Sequence, residues 1–326
     1  MASLSFLTSN YFHSIQFSNP SSSSFNKHYQ VTCISLKASS SSSSSLRCIN
    51  SSLSSPNLPN SKDEAIQQAK TSISTTLEKP LNNSTKLVGK FKKLKQPKFR
   101  VEIPLIDDSP DSISQLALDI FGNIPIKRKG SPIRVLLLWP NPRLREAATV
   151  AFKSQSDSKV EHFDIPSLQN SDPRILNSAD VAVFFVPEVS QLDLIRTVSD
   201  AFYPRPVVMF NPKWAFEEEG NLDDDLAGFV SSFEVVYCFI GLEVRGLLSK
   251  RKGVVFRCVR DGVVSGEKWN VFVEEGEEMK VVTTLKARPT IVEVENVLYN
   301  LMAVNSPITK SAKFIKGLVS NVTGRK

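Results

Sequence analysis

Ile133-Arg134-Val135-Leu136-Leu137-Leu138-Trp139-Pro140-Asn141-Pro142-Arg143 is the stretch that decides the fold class. Apart from Arg134, its first seven residues are apolar on both faces of any strand they form. Such a run predicts a strand buried within a parallel sheet, not a half-exposed antiparallel one. The residues that follow stop the strand and start a helix, because Asn141 can cap free N–H groups and Pro142 suits a first helical turn. The same alternation continues downstream. Val181 to Val186 and Val207 to Phe210 are again continuously apolar, while Leu144 to Phe152 and Leu192 to Phe202 carry helical periodicity. Alternating buried strands and helices predict an α/β layered domain with a largely parallel central sheet.

The pattern extends in both directions. Ser61-Lys62-Asp63-Glu64 reads as a capping box opening a helix whose apolar positions, Ala65, Ile66, Ala69, Ile73 and Leu77, end before Pro80. Phe99, Val101 and Ile103 alternate as a first strand. Ser109-Pro110 then opens a helix that runs to Gly122. Beyond residue 230, Val235 to Ile240, Val254 to Val259, Trp269 to Val273 and Val281 to Leu285 predict a C-terminal antiparallel meander extending the sheet. A closing helix is expected from Ile291 to Ala303 and another after Pro307. The expected organisation is one α/β domain over residues 61–303 and a basic amphipathic tail over 304–326. In that tail Lys310, Lys313 and Lys316 oppose Ile308, Ile315, Leu318 and Val319.

Charge is distributed unevenly. The chain of 326 residues has 40 Lys plus Arg against 33 Asp plus Glu, a net +7, yet its first 62 residues contain no acidic residue and 22 Ser. A Ser-rich, acid-free leader predicts an organelle transit peptide of the chloroplast kind over residues 1–50, followed by a linker over 51–60. Removing Lys27, Lys37 and Arg47 with that leader leaves +4. The mature chain is expected to be soluble or peripheral, in the stroma or on the stromal face of the thylakoid membrane. It would keep Cys238, Cys258 and His162, too few ligands for a Cys/His zinc site, so no metal is expected. The two cysteines read as small core residues on strands before they read as a redox pair.

Two motifs echo each other. Leu138 to Arg143 and Met209 to Trp214 each end a buried strand with an aromatic residue, then Asn-Pro, then a basic residue. Both read first as well-capped strand-to-helix turns. The alternative is that Asn141, Arg143, Arg145, Asn211 and Lys213 converge on a phosphate or carboxylate at the carboxyl ends of the strands. Nucleotide loops are excluded more sharply, since none of the 13 Gly falls between Gly130 and Gly220 and Leu247 and Leu248 stand where a P-loop needs Lys and Ser/Thr. His162 lies near Asp164 without a nucleophile elbow, and the acidic stretch through Glu217, Glu219 and Asp223 to Asp225 lacks calcium-loop spacing. No catalytic residue and no cofactor is assigned. The expected basic surface comprises Lys90, Lys92, Lys93 and Lys95 within the stretch Lys86 to Arg100, then Lys127, Arg128 and Lys129, then Lys250, Arg251 and Lys252. An acidic protein or an anionic membrane surface fits it better than nucleic acid, for which no stacking motif is present.

Ala179 to Pro187, Tyr203 to Trp214 and Phe233 to Tyr237 resemble a plant and cyanobacterial domain of unknown function. It is the domain of the low photosystem II accumulation proteins, also found appended to a chloroplast adenylate kinase. The similarity covers roughly residues 61–300. The resemblance implies a chloroplast assembly or accumulation factor for a photosystem II-type complex, with protein partners among photosystem subunits and no catalytic residues. The residue-level alternative is a small-anion or phosphometabolite binder, or an enzyme acting on such a ligand.

Overall fold

The computed structural model describes residues 29–30, 57–82, 95–103, 107–154, 159–170, 173–214, 219, 222–245, 250–276 and 278–305. They fall into two compact units: residues 57–240 with 256–267, and residues 29–30, 241–255 and 268–305. The residues expected to form one domain, 61–303, are shared between both.

The first unit opens with α1 (Lys62–Asn82), whose start is fixed as the sequence predicts: the Ser61 hydroxyl accepts from Glu64 N at 3.1 Å. Glu64 reaches back to Asn60 N at 2.8 Å. The helix does not end before Pro80 but runs through it. Proline in the last turn removes a single intrahelical N–H, and Leu81 remains buried beyond it. There follow β1 (Lys98–Glu102), α2 (Pro110–Phe121), β2 (Val135–Trp139), α3 (Pro142–Ala151), β3 (Val160–Asp164), α4 (Pro173–Ser178), β4 (Val181–Phe185), α5 (Leu192–Phe202), β5 (Val207–Phe210), α6 (Asp224–Ser231) and β6 (Glu234–Arg245, of which residues 234–240 belong here).

Strands of this unit lie in the order β6-β1-β5-β4-β2-β3, and every neighbouring pair is parallel. Both faces of the central strands are covered, which is why their sequences are apolar without alternation. On one face Leu136, Leu138, Ala182, Phe184, Val207 and Met209 pack with Leu192, Ile195, Val198 and Phe202 of α5 and with Phe229 and Val230 of α6. Burying each large α5 side chain contributes roughly 1.5–3 kcal/mol. On the other face an aromatic layer forms from residues that end their strands. Phe185 and Phe210 stack with ring centroids 4.4 Å apart, and Phe121 of α2 meets both edge-on.

The sequence pattern did not mark β3. Its five residues are mostly half-exposed, because it is the outer strand of this parallel set and presents only part of itself to the core. Between α2 and β2 a small hairpin pairs Lys127–Arg128 with Ser131–Pro132. Lys129 and Gly130 both have positive φ, 50° and 84°, as a tight two-residue hairpin turn demands.

In the second unit the C-terminal strands form the expected antiparallel meander. They are β7 (Lys250–Cys258, of which residues 250–255 belong here), β8 (Trp269–Glu275) and β9 (Glu278–Leu285), in the order β9-β8-β7. β8 and β9 pair from Trp269↔Leu285 to Glu275↔Glu278, with a bulge between Val271 and Phe272. Tyr29–Gln30 pairs antiparallel with Val244 and Glu243. The helix α7 (Ile291–Asn305) starts at a capping box, with Thr290 Oγ1 accepting from Glu293 N and Glu293 accepting from Thr290 N. The expected helix after Pro307 lies outside the described residues.

Candidate functional site

In the order β3-β2-β4 the chain leaves β2 toward one side, then returns to its other side. Ligands in open α/β sheets bind at such a switch point, outside the carboxyl ends of the strands. Here the loops after β2, β4 and β5 meet. The side chain of Gln191 donates to Pro140 O at 2.8 Å and accepts from Glu188 N at 3.1 Å. Lys213 N donates to Pro187 O at 2.9 Å. Val186 and Asn211 leave adjacent strands with φ of 46° and 47°, and Val186 N donates to Phe210 O.

The structure therefore brings the two Asn-Pro turns together but gives their side chains different tasks. Asn141 caps α3, its Oδ1 accepting from Leu144 N at 3.0 Å. Asn211 does not cap a helix; its buried amide clamps the end of β1, with Oδ1 accepting from Ile103 N at 2.7 Å and Nδ2 donating to Ile103 O at 2.9 Å. The left-handed backbone at Asn211 turns the side chain toward β1, and asparagine tolerates that conformation better than most residues. Arg145 pairs with the buried Asp164 at 2.8 Å, and Asp164 also accepts from Ser167 N and the Ser167 hydroxyl. Lys213 lies 3.7 Å from Glu188. Of the five residues expected to face an anion, Arg143 alone has no polar partner among the described residues, and it is exposed. Among the described residues the crevice is largely self-paired, with Arg143 its uncommitted cation.

A second polar constellation escaped the sequence reading. Arg100, counted with the basic surface stretch, is only 2% exposed in the middle of β1. Its Nη2 lies 2.5 Å from Glu102 Oε1 and 2.5 Å from Glu219 Oε1. Trp214 Nε1 donates to Glu219 at 3.0 Å, and the Cys238 thiol donates to Glu102 Oε2 at 3.2 Å. The charged face of β1, from Lys98 through Arg100 to Glu102, reads by alternation as a solvent face. In the fold it is closed by Trp214, Phe229 and Phe233, with the Lys98 ammonium 4.7 Å from the Phe229 ring centre. So Glu219 is half-buried and paired within the fold, whereas Asp223, which caps α6 by accepting from Leu226 N, is solvent-exposed together with Asp224 and Asp225.

His162 on β3 accepts at Nδ1 from Trp139 Nε1 at 3.2 Å and meets the Phe152 ring edge-on. Burial holds its imidazole at about 4, below the ordinary 6.5, so it is neutral at physiological pH. Accepting at Nδ1 places the ring proton on Nε2, which is buried without a partner among the described residues. Cys258 lies 3.5 Å from the Ser72 hydroxyl of α1, and burial pushes its thiol up. Neither Cys238 nor Cys258 forms a disulfide. Among the described residues no three His, Cys, Asp or Glu side chains gather as a metal site would need.

The expected basic surface is placed in part. Lys95 and Lys127, Arg128 and Lys129 are exposed, and Lys252 is half-buried. Lys250 and Arg251 begin β7, and Lys90, Lys92 and Lys93 lie outside the described residues. No described helix is long and apolar enough to cross a membrane.

Fold and site together define an α/β protein with a mostly parallel sheet, helices on both faces and a C-terminal antiparallel meander. Residues 59–296 match the domain of unknown function DUF1995, and the chain belongs to that family. No curated protein sequence matches it. Among solved structures, that of the flagellar accessory protein FlaH from Methanocaldococcus jannaschii is similar over 57% of this chain and 90% of that one, at 11% identity and a TM-score of 0.26.

Proposed function

We propose that this protein is a non-enzymatic chloroplast factor that supports assembly or accumulation of a photosystem II-type complex by surface contact with its partners. One structural observation carries the preference for contact over catalysis. The polar groups at the switch-point crevice are engaged in holding the fold: Asn141 as a cap, Asn211 as the clamp on β1, Arg145 on Asp164 and Lys213 beside Glu188. Asn141, Asn211 and Arg145 must give up a buried partner before they can receive a ligand, at a cost of about 1–3 kcal/mol each, whereas the Lys213–Glu188 pair lies at the surface and opens cheaply. The chloroplast setting and the low photosystem II accumulation type follow from the acid-free, Ser-rich leader and from the resemblance of the Tyr203 to Trp214 and Ala179 to Pro187 stretches. Affinity purification from chloroplasts followed by mass spectrometry tests the proposal. Photosystem II subunits or assembly factors are expected in the eluate, and their absence from repeated purifications overturns it.

The competing reading, a small-anion or phosphometabolite site, rests on exposed Arg143 beside the N-terminus of α3. It predicts that phosphate or a phosphorylated metabolite raises Tm and that Arg143→Ala with Lys213→Ala abolishes the effect. The contact reading predicts no such stabilisation.

A further inference from the structure

We propose that the amino-end edge of the parallel sheet, opposite the switch-point crevice, is a docking surface for an anionic lipid bilayer. This deepens the contact reading above and takes only its setting from it. The loops entering β2, β3, β4 and β5 converge at this edge. Asp180 ties the Lys127–Pro132 hairpin to it, pairing with Arg128 and accepting from Arg134 N, while Lys159 O accepts from Val135 N. Four exposed cations, Lys127, Lys129, Arg134 and Lys159, have no ion-pair partner among the described residues. Of the acidic groups nearby, Asp180 holds Arg128 and Glu234 lies 3.8 Å from Lys95, while exposed Glu161 at the start of β3 accepts from the Ser178 hydroxyl and leaves the cations in excess.

Two exposed apolar groups lie at the same end of the sheet. Tyr203, in the turn entering β5, is 47% exposed, and Val150, in the last turn of α3, is 63% exposed. Uncompensated Lys and Arg beside an exposed tyrosine and an aliphatic side chain match the boundary of an anionic bilayer, where cations meet headgroups and amphipathic rings sit between water and acyl chains. An acidic protein would meet the same cations, and the experiment below separates the two, because only a bilayer surface binds without any protein partner.

Co-sedimentation of the full chain with vesicles tests this directly, comparing phosphatidylcholine alone with mixtures containing phosphatidylglycerol, at low and physiological salt. Binding is expected only with phosphatidylglycerol and is expected to weaken as salt rises. Each neutralised cation should lower partitioning roughly fivefold, so Lys127→Gln with Lys129→Gln and Arg134→Gln should lower it on the order of a hundredfold. Tyr203→Ser should weaken it by a smaller factor at unchanged salt dependence. All four positions are exposed, and an unchanged thermal melt checks that the variants fold. No binding to the anionic vesicles, or undiminished binding by the triple variant, overturns the lipid surface. Photosystem proteins recovered from chloroplasts by a chain that ignores vesicles would leave the contact reading standing and make the partner an acidic protein.

Discussion

Replacing Arg100 by Met probes the buried network most severely. Methionine fills a similar volume and removes the charge, leaving Glu102 and Glu219, whose side chains are 9% and 22% exposed, without the guanidinium 2.5 Å from each. Breaking a buried ion pair from one side costs about 3–5 kcal/mol, because the remaining charge stays desolvated. Two carboxylates share the loss here, but Glu219 keeps the Trp214 indole and Glu102 keeps the Cys238 thiol as donors, which limits it to that range. For a domain of this size the expected fall in Tm is on the order of 10 °C. The informative comparison is Arg100→Met combined with Glu102→Gln and Glu219→Gln. The amides preserve acceptors for the indole and thiol and carry no charge, so the triple variant should recover most of the lost stability. Urea unfolding followed by Trp fluorescence measures both. A loss under about 1 kcal/mol for the single variant, or a triple variant no more stable than the single, refutes the reasoning that paired charge holds this face together.

Other outcomes follow from single sites. Asn211→Ala removes both bonds to Ile103 and places a Cβ-bearing residue without a local partner at φ 47°, for an expected loss of about 3 kcal/mol in chemical denaturation, while Asn211→Gly should recover only the backbone part, about 1 kcal/mol. His162 has a folded-state value of about 4 against an ordinary 6.5, so the unfolded chain binds the proton first and stability falls as pH drops through that window. Between pH 7 and pH 5 its contribution to unfolding free energy should fall by about 2 kcal/mol, and His162→Phe should show a correspondingly shallower pH dependence. A Cβ at Gly262, where φ is +69°, would lie 2.3 Å from Thr75 O, so Gly262→Ala should cost roughly 2–4 kcal/mol in thermal melts. Gly228→Ala, with open space around it, should be close to neutral.

The buried parallel strands were legible because a strand covered on both faces must be apolar throughout, and β2, β4 and β5 are. β3 was not, because an outer strand with half-exposed residues reads as Val-Glu-His-Phe-Asp and offers no period. The echo between Asn141 and Asn211 was legible as a pair of turns, yet identical letters serve as a helix cap in one and a tertiary clamp in the other. What separates them is the positive φ at Asn211, which depends on β1 lying beside β5, a contact 108 residues apart in sequence. Arg100 misled for a related reason. Alternating charge along β1 signals solvent only if nothing covers that face, and its covers, Trp214 and Phe229, arrive from more than a hundred residues downstream. Local patterning therefore recovers the layers, and the polar pairings that cross between distant segments stay hidden until the fold brings them together.

Contact through a basic surface, as proposed for this chain in place of turnover in the crevice, requires the protein to be found where its partner is. Fractionation of isolated chloroplasts checks this, with the protein followed by immunoblot through stroma, washed thylakoids and thylakoids washed at rising salt. Recovery with washed thylakoid membranes is expected at low salt and release as salt is raised, with Lys127→Gln, Lys129→Gln and Arg134→Gln together shifting the protein into the stroma. A protein found wholly in the stroma as a monomer at every salt concentration would contradict it.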